Sequence, residues 1–395
     1  MLKTRTGLDI ISGKLPSELK GKRIGVLCHA PSIRSDFRHI TDIIAESKEC
    51  SLAAIFGPQH GLFGQTQDNM IEWEGYMHPV YNVPVFSLYG KHRKPGPEML
   101  SGIEALLVDL QDVGARLYTY IWTVRLCMEA CAAAGIPVVI LDRPNPVGRL
   151  PFDGPVLKEE YFTFVGGASI PLCHRMTIGE MALWLKAKYF PSCKLSVIFM
   201  KNWQRDSLFS DTGLPWVLPS PNLPTLQSVI VYPGTVLFEA VNVSEGRGTT
   251  LPFELFGAPF INSEKLKQDL DRRKVEGCVF RIHNFIPVFN KFAGKICNGL
   301  QIHITDVRKF YPVATAYEII GAIIETSERG NFRFNDPPYE YEEKLMPFDI
   351  LSGDSGMREA LNHKIALKVE RQRWEEEISG FVKEFREISV YPERI

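Results

Sequence analysis

Ile103-Glu104-Ala105-Leu106-Leu107-Val108 is a largely apolar run of strand length that turns abruptly polar at Asp109, and that combination leaves few folds open. Such a run is how a strand buried on both faces of a parallel sheet reads. Ligands of open α/β sheets bind in the crevice beyond the carboxyl ends of the strands, so Asp109, Gln111, Asp112, Arg116 and Tyr118 are placed to face a ligand. Taken alone, Asp109 is more often a helix cap or a turn former. Five polar groups within about ten residues bring the two readings level.

The neighbouring segments support a sheet of this kind. Residues 23 to 28 read as a first strand, followed by the loop His29-Ala30-Pro31-Ser32, and residues 36 to 48 place Phe37, Ile40, Ile43 and Ile44 at helical spacing. A second strand over 52 to 56 ends in Gly57-Pro58-Gln59-His60-Gly61. An extended piece at 83 to 88, the strand at 103 to 108 and a helix around 119 to 134 follow. A strand at 136 to 141 then ends in Asp142-Arg143-Pro144-Asn145-Pro146. Thr177-Ile178-Gly179-Glu180 has the spacing of a capping box ahead of an apolar-faced helix, and 195 to 200 gives a further strand. Strand and helix alternate, with a polar cluster at each strand's carboxyl end, which predicts a doubly wound parallel sheet.

A chain of 395 residues is long for one hydrophobic core, and two domains are expected. The alternation stops near Tyr232-Pro233-Gly234, so the division is set at residues 1–230 and 231–395. The second part holds a helix over 263 to 273, extended segments at 279 to 286 and 300 to 305, and a helix over 314 to 326. A last helix carries Trp374, Ile378, Phe381 and Phe385 on one face, which reads as core.

A formal net charge of -1, with no stripe of Lys and Arg, gives no electrostatic reason to expect nucleic acid or an anionic membrane as partner. No apolar run reaches the ~20 residues needed to span a bilayer, and the first residues lack the apolar run of a signal peptide, so a cytoplasmic protein is expected. The eight cysteines show no C-x-x-C pair and no zinc spacing; Cys127 and Cys131, four apart on a helix, read as small buried thiols.

Three constellations carry chemistry. His60 stands between two glycines that permit a tight turn, which would bring its imidazole to a ligand for proton transfer or hydrogen bonding; a lone loop histidine more often serves structure. In Asp142-Arg143-Pro144-Asn145-Pro146 the prolines stiffen a loop and fix where Arg143 and Asn145 point, which suits a preorganised polar site and equally a rigid turn. The stretch from Phe238 to Thr250 contains Glu239, Asn242, Glu245 and Arg247. Its glycines match neither common phosphate-binding spacing, whereas two carboxylates beside amide and hydroxyl groups are the mixture used in sugar recognition and glycoside hydrolysis.

Phe56-Gly57-Pro58-Gln59-His60-Gly61, Asp109-Leu110-Gln111-Asp112-Val113-Gly114-Ala115-Arg116, Leu141-Asp142-Arg143-Pro144-Asn145-Pro146 and Asn242-Val243-Ser244-Glu245-Gly246-Arg247-Gly248-Thr249-Thr250 occur in one chain and in that order. Together with Leu214-Pro215-Trp216 and Pro219-Ser220-Pro221-Asn222, they resemble the exo-β-N-acetylmuramidase family, formerly a domain of unknown function, over nearly the whole chain. The resemblance implies a Rossmann-like first domain and a smaller α/β (α+β) second domain, with the active site in the cleft between them. It also implies removal of terminal β-1,4-linked N-acetylmuramic acid from the non-reducing end of peptidoglycan fragments, in bacterial wall recycling, with no metal or nucleotide cofactor.

One position departs from the family pattern. Where family members carry a glutamate that is a candidate catalytic acid, this chain has Gln59, whose amide binds substrate but has no proton to give. The resemblance then implies other carboxylates: Glu245 first, Asp112 second and Glu239 third, with His60 assisting and Arg116, Arg143 or Arg247 pairing with the lactyl carboxylate. Asp109, Gln111, Tyr118, Asp142, Asn145, Asn222 and Asn242 complete the expected binding set. A sugar-binding relative that kept the cleft and lost the chemistry stands as the alternative. A nucleotide-dependent enzyme is disfavoured, because the first strand leads into Cys28-His29-Ala30-Pro31-Ser32 and not into a glycine-rich loop.

Overall fold

The computed structural model describes residues 2–67 and 71–393. The chain's apolar runs become strands in the order they are written: β1 (Arg23–Cys28), β2 (Ser51–Gly57), β3 (Tyr76–Met77), β4 (Pro84–Ser87), β5 (Ala105–Asp109), β6 (Val138–Leu141), β7 (Asp153–Val156), β8 (Pro171–Cys173) and β9 (Leu195–Ile198). Seven of them form one sheet in the order β3-β4-β2-β1-β5-β6-β9, parallel throughout except for the antiparallel edge strand β3. All five residues of β5 are buried, as the apolar run requires of a central strand covered on both faces. Its register sets Leu27 beside Val108 and Cys28 beside Asp109, so Asp109 is the last residue of the strand itself and not the first of a loop.

The helix Tyr120–Ala134 ends at Gly135 in the left-handed conformation (φ 69°), the usual way of stopping a helix. At the start of Ile178–Lys188 the capping box is made in full: Thr177 accepts from the Glu180 N–H, and Glu180 accepts from that of Thr177. Between β1 and β2 the helix is shorter than its periodicity predicts, covering Ile40–Ala45. Upstream, Arg34 and Asp36 pair, Phe37 takes a φ of 68°, and Ile33 bridges His39, so the chain turns back on itself before the helix begins. The hairpin β7–β8 and the short helices Pro347–Ser352 and Gly356–Asn362 carry no periodic signal long enough to be read from the sequence.

In the second domain, β10 (Leu255–Ala258), β11 (Cys278–Ile282) and β12 (Asn298–Ile304) form an antiparallel sheet in the order β10-β12-β11. Helices Ser263–Arg273 and Pro312–Thr326 belong to the same domain. Tyr232-Pro233-Gly234, where the alternation stops, lies inside a helix, Leu226–Thr235. Gly234 explains its close packing: a Cβ there would stand 1.9 Å from the Pro312 carbonyl oxygen, so the absence of a side chain lets the two helices meet.

The final helix, Leu367–Ile388, buries Trp374, Phe381 and Phe385, with Ile378 half-buried. Phe152 beside β7 meets the rings of Phe381 and Phe385 edge-on. The chain then returns to the first domain, where the Tyr391 hydroxyl donates to Asp142 at 2.5 Å and the Arg205 N–H to the Pro392 carbonyl at 3.1 Å. All eight cysteines are free thiols, with Cys127 and Cys131 buried. Among the described residues no helix is long and apolar enough to cross a membrane.

Candidate active site

A cavity opens where the loops after β2 and β5 meet the second domain. The first domain contributes Gln59, His60, Tyr118 and Thr119, and the connecting strap contributes Ser220 and Asn222. From the second domain come Tyr232, Glu239, Arg247, Tyr339 and Glu340.

The tight turn expected around His60 is present, with His60 at φ 71° and Gly61 at φ 84°. The His60 ring is oriented by its Nδ1–H, which donates to the Thr66 carbonyl at 2.7 Å; in the neutral ring Nε2 is then the acceptor. The Thr119 hydroxyl donates to Gln59 Oε1 at 2.6 Å, which leaves the Gln59 amide N–H groups as donors. Tyr120 props the same loop from below, its hydroxyl 3.1 Å from the Gln59 carbonyl and 2.8 Å from that of Pro219. Asn222 is held by its donation to the Gln67 carbonyl at 2.7 Å.

Opposite stands a charged chain of groups. Arg247 donates to Glu239 Oε1 at 2.6 Å and to Glu245 Oε1 at 3.1 Å. Lys291 donates to Glu245 Oε2 at 3.1 Å and to the Phe238 carbonyl at 2.6 Å. Burial opposes the charge on Glu245, but Lys291 and Arg247 outweigh it and hold the carboxyl below its usual range. Burial likewise opposes the charge on Arg247 and is outweighed by Glu239 and Glu245. Gly246 and Gly248, both at φ 79°, are turn positions: a Cβ on Gly248 would lie 2.6 Å from the Phe289 carbonyl oxygen. Glu245 therefore lies behind Arg247, and Glu239 is the member of the pair that lines the cavity. Its second oxygen accepts from the Tyr339 hydroxyl at 2.6 Å.

Glu340 is a cavity residue that the sequence reading missed. Glu340 and Tyr341 are both left-handed, with φ values of 45° and 69°, and are 3% and 37% exposed. The Tyr89 hydroxyl donates to Glu340 Oε2 at 3.2 Å. Burial, reinforced by the charge of Glu239, pushes the Glu340 carboxyl up to about 7. The one signal in the sequence is the short acidic and aromatic run from Tyr339 to Glu343.

Most of the strand-end cluster is placed elsewhere. Asp109 accepts from Arg143 at 2.5 and 2.8 Å, and Arg143 also donates to the Ile33 carbonyl. With Gln111, whose amide donates to the Asp112 and Pro144 carbonyls, Arg143 lines a neighbouring pocket beside Trp216. Arg116 is fully buried and donates to four carbonyls, those of Pro155, Ile170, Leu351 and Ser352. Asp142 accepts from Thr177, the Gly179 N–H and Tyr391. Asn145 ties the Met176 carbonyl to the Val147 N–H, and Asn242 ties the Asn331 carbonyl to the Arg333 N–H. Asp112 accepts from the Gly114 N–H and faces His174 at 3.6 Å. Of the expected site residues, the structure gathers Gln59, His60, Tyr118, Asn222, Glu239 and Arg247 around the one cavity.

Models of the N-terminal and C-terminal parts of exo-β-N-acetylmuramidase NamZ match residues 24–227 and 230–391. The peptidoglycan β-N-acetylmuramidase NamZ of Bacillus subtilis (strain 168) is 41% identical over 390 residues, covering 98% of this chain and 92% of that protein. The crystal structure of a DUF1343 family protein from Bacteroides fragilis superposes with a TM-score of 0.88 at 30% identity, over 99% of this chain and 100% of the other. A second DUF1343 structure from that organism gives 0.77 at 28%, over 99% of each chain. With both halves matched and the fold shared end to end, the chain belongs to the exo-β-N-acetylmuramidase NamZ family.

Proposed function

We propose that this protein is a glycoside hydrolase that removes terminal β-1,4-linked N-acetylmuramic acid from the non-reducing end of peptidoglycan fragments. The observation that carries the reading is one cavity lined by Gln59, His60, Glu239 and Arg247, in a chain 41% identical to a peptidoglycan β-N-acetylmuramidase. That identity favours an enzyme over a sugar-binding relative. Within the cavity the Gln59 amide and the His60 ring serve as hydrogen-bonding groups for the sugar, and Glu239 takes precedence over Glu245 and Asp112 as the carboxylate beside it. Of Arg116, Arg143 and Arg247, Arg247 is the one that lines the cavity, and we assign it to substrate contact.

We set the domain boundary at residues 230 and 231, with the active-site cleft between the two parts. A place in the bacterial cytoplasm during wall recycling is the companion reading, and cell fractionation tests it. For the activity itself, purified protein is assayed on a chromogenic β-N-acetylmuramide. Chromophore release is expected; silence from a protein whose melting temperature rises with muramic acid would instead mean binding without hydrolysis.

A further inference from the structure

A glycosidase needs a group that hands a proton to the departing oxygen, and the cavity offers few. Gln59 has no acidic proton. Both oxygens of Glu239 accept hydrogen bonds, one from Arg247 at 2.6 Å and one from Tyr339 at 2.6 Å, an arrangement that holds a carboxylate as an acceptor. Glu245 stands behind Arg247 with Lys291 on its other oxygen. Glu340 differs: it lines the cavity, it is buried, and its one hydrogen bond among the described residues is the Tyr89 hydroxyl on Oε2. Two successive left-handed residues put it there, a backbone arrangement rare outside glycine and one that clusters at functional sites.

We infer that Glu340 is the general acid of this cavity, donating its proton to the glycosidic oxygen of the bound saccharide. The inference rests on the glycosidase reading given above. As the C1–O bond breaks, its electron pair leaves with the oxygen, which takes the Glu340 proton and departs as the alcohol. The oxygen of a water molecule then bonds to C1, and the proton it sheds returns to the Glu340 carboxylate, so that one water is added across the bond. Glu340 keeps a proton up to about pH 7, far above the usual carboxyl range, because burial and Glu239 disfavour its charge, while Tyr89, Arg247 and Arg93 pull the other way. The phenols of Tyr232, Tyr339 and Tyr341 also face it.

The test compares Glu340→Gln with the unmodified chain on two substrates: the natural β-1,4-linked disaccharide, whose alcohol needs protonation to leave, and a nitrophenyl β-N-acetylmuramide, whose phenolate does not. The expected result is a loss of roughly 10²- to 10⁴-fold in kcat on the disaccharide and a change within about tenfold on the aryl glycoside, at unchanged melting temperature. Equal losses on both substrates, or no loss on either, overturn the assignment while leaving the glycosidase reading intact. An unmodified chain inert towards both substrates overturns both. Where Glu340→Gln does not fold, Tyr89→Phe decides. It removes a donor that favours the charged carboxylate, so the alkaline fall of kcat/KM, centred near 7 in the unmodified chain, moves to higher pH; an unmoved limb overturns the inference.

Discussion

Asp112→Asn separates a buried structural carboxyl from a catalytic one by how stability depends on pH. Asp112 is 3% exposed; the Gly114 N–H donates to its Oδ2 at 2.8 Å, and Oδ1 has no hydrogen-bond partner among the described residues. The nearby His174 gives no counter-charge, because burial drives its ring down to about 3. Without a cation to offset it, burial pushes Asp112 from 3.8 up to about 7. Between those values the folded chain keeps a proton that the unfolded chain has lost, so stability falls as pH rises through the window. At about 1.4 kcal/mol per unit the full effect is up to about 4 kcal/mol. Asparagine keeps the bond to Gly114 and never ionises, so urea unfolding of the two proteins between pH 4 and 8 isolates this one group. The advantage of the variant is expected to grow by a few kcal/mol from pH 4 to 7 and to level off above; any fixed offset from the amide does not change with pH. A difference independent of pH refutes the burial argument, and lost turnover with no such slope assigns Asp112 to the chemistry instead.

Gly234→Ala sets helix propensity against packing: alanine gains up to ~1 kcal/mol in a helix interior, but its Cβ would meet the Pro312 carbonyl oxygen at 1.9 Å. The backbone has to move, and a net loss of about 1–3 kcal/mol is expected in thermal melts; an unchanged or raised Tm contradicts it. Arg247→Met strips two buried carboxylates, Glu239 and Glu245, of their shared cation and is expected to cost about 3–5 kcal/mol by urea titration, with activity lost as well. A variant as stable as its parent would mean that Lys291 and Tyr339 suffice.

What could be read from the sequence follows from how local each signal is. The core strands β1, β2, β5 and β6 announce themselves as apolar runs, and the box around Thr177 and Glu180 marks its helix from four residues. The last helix shows its buried face through Trp374, Phe381 and Phe385. Polar residues at strand ends are harder, because a composition cannot tell a group that faces a ligand from one that faces a partner. Asp109 and Arg143, 34 residues apart, take up each other's charge, and the two terminal nitrogens of Arg116 are taken up by carbonyls from three segments of the chain. Glu340 escapes notice for the opposite reason. It sits in a loop with no periodicity, aimed by two backbone conformations that nothing in Tyr339-Glu340-Tyr341 announces, at a cavity whose walls, Tyr339 apart, are about 90 to 280 residues upstream.

The return of the chain to its first domain bears on how the protein can be made. Asp142, at the end of β6, accepts from the Tyr391 hydroxyl as well as from Thr177, and Glu180 likewise accepts from the Val390 N–H at 3.0 Å. Ribosomes release a chain from its first residue onward, so the Rossmann-like half, although Thr177 and Gly179 already serve Asp142 and Arg205 already pairs with Glu180, lacks the Tyr391 and Val390 bonds until about 160 further residues have emerged. The two halves are for that reason a poor choice for separate expression, and a nascent chain stalled before residue 388 should remain open to proteolysis across its first domain even though every strand of that sheet has already been synthesised.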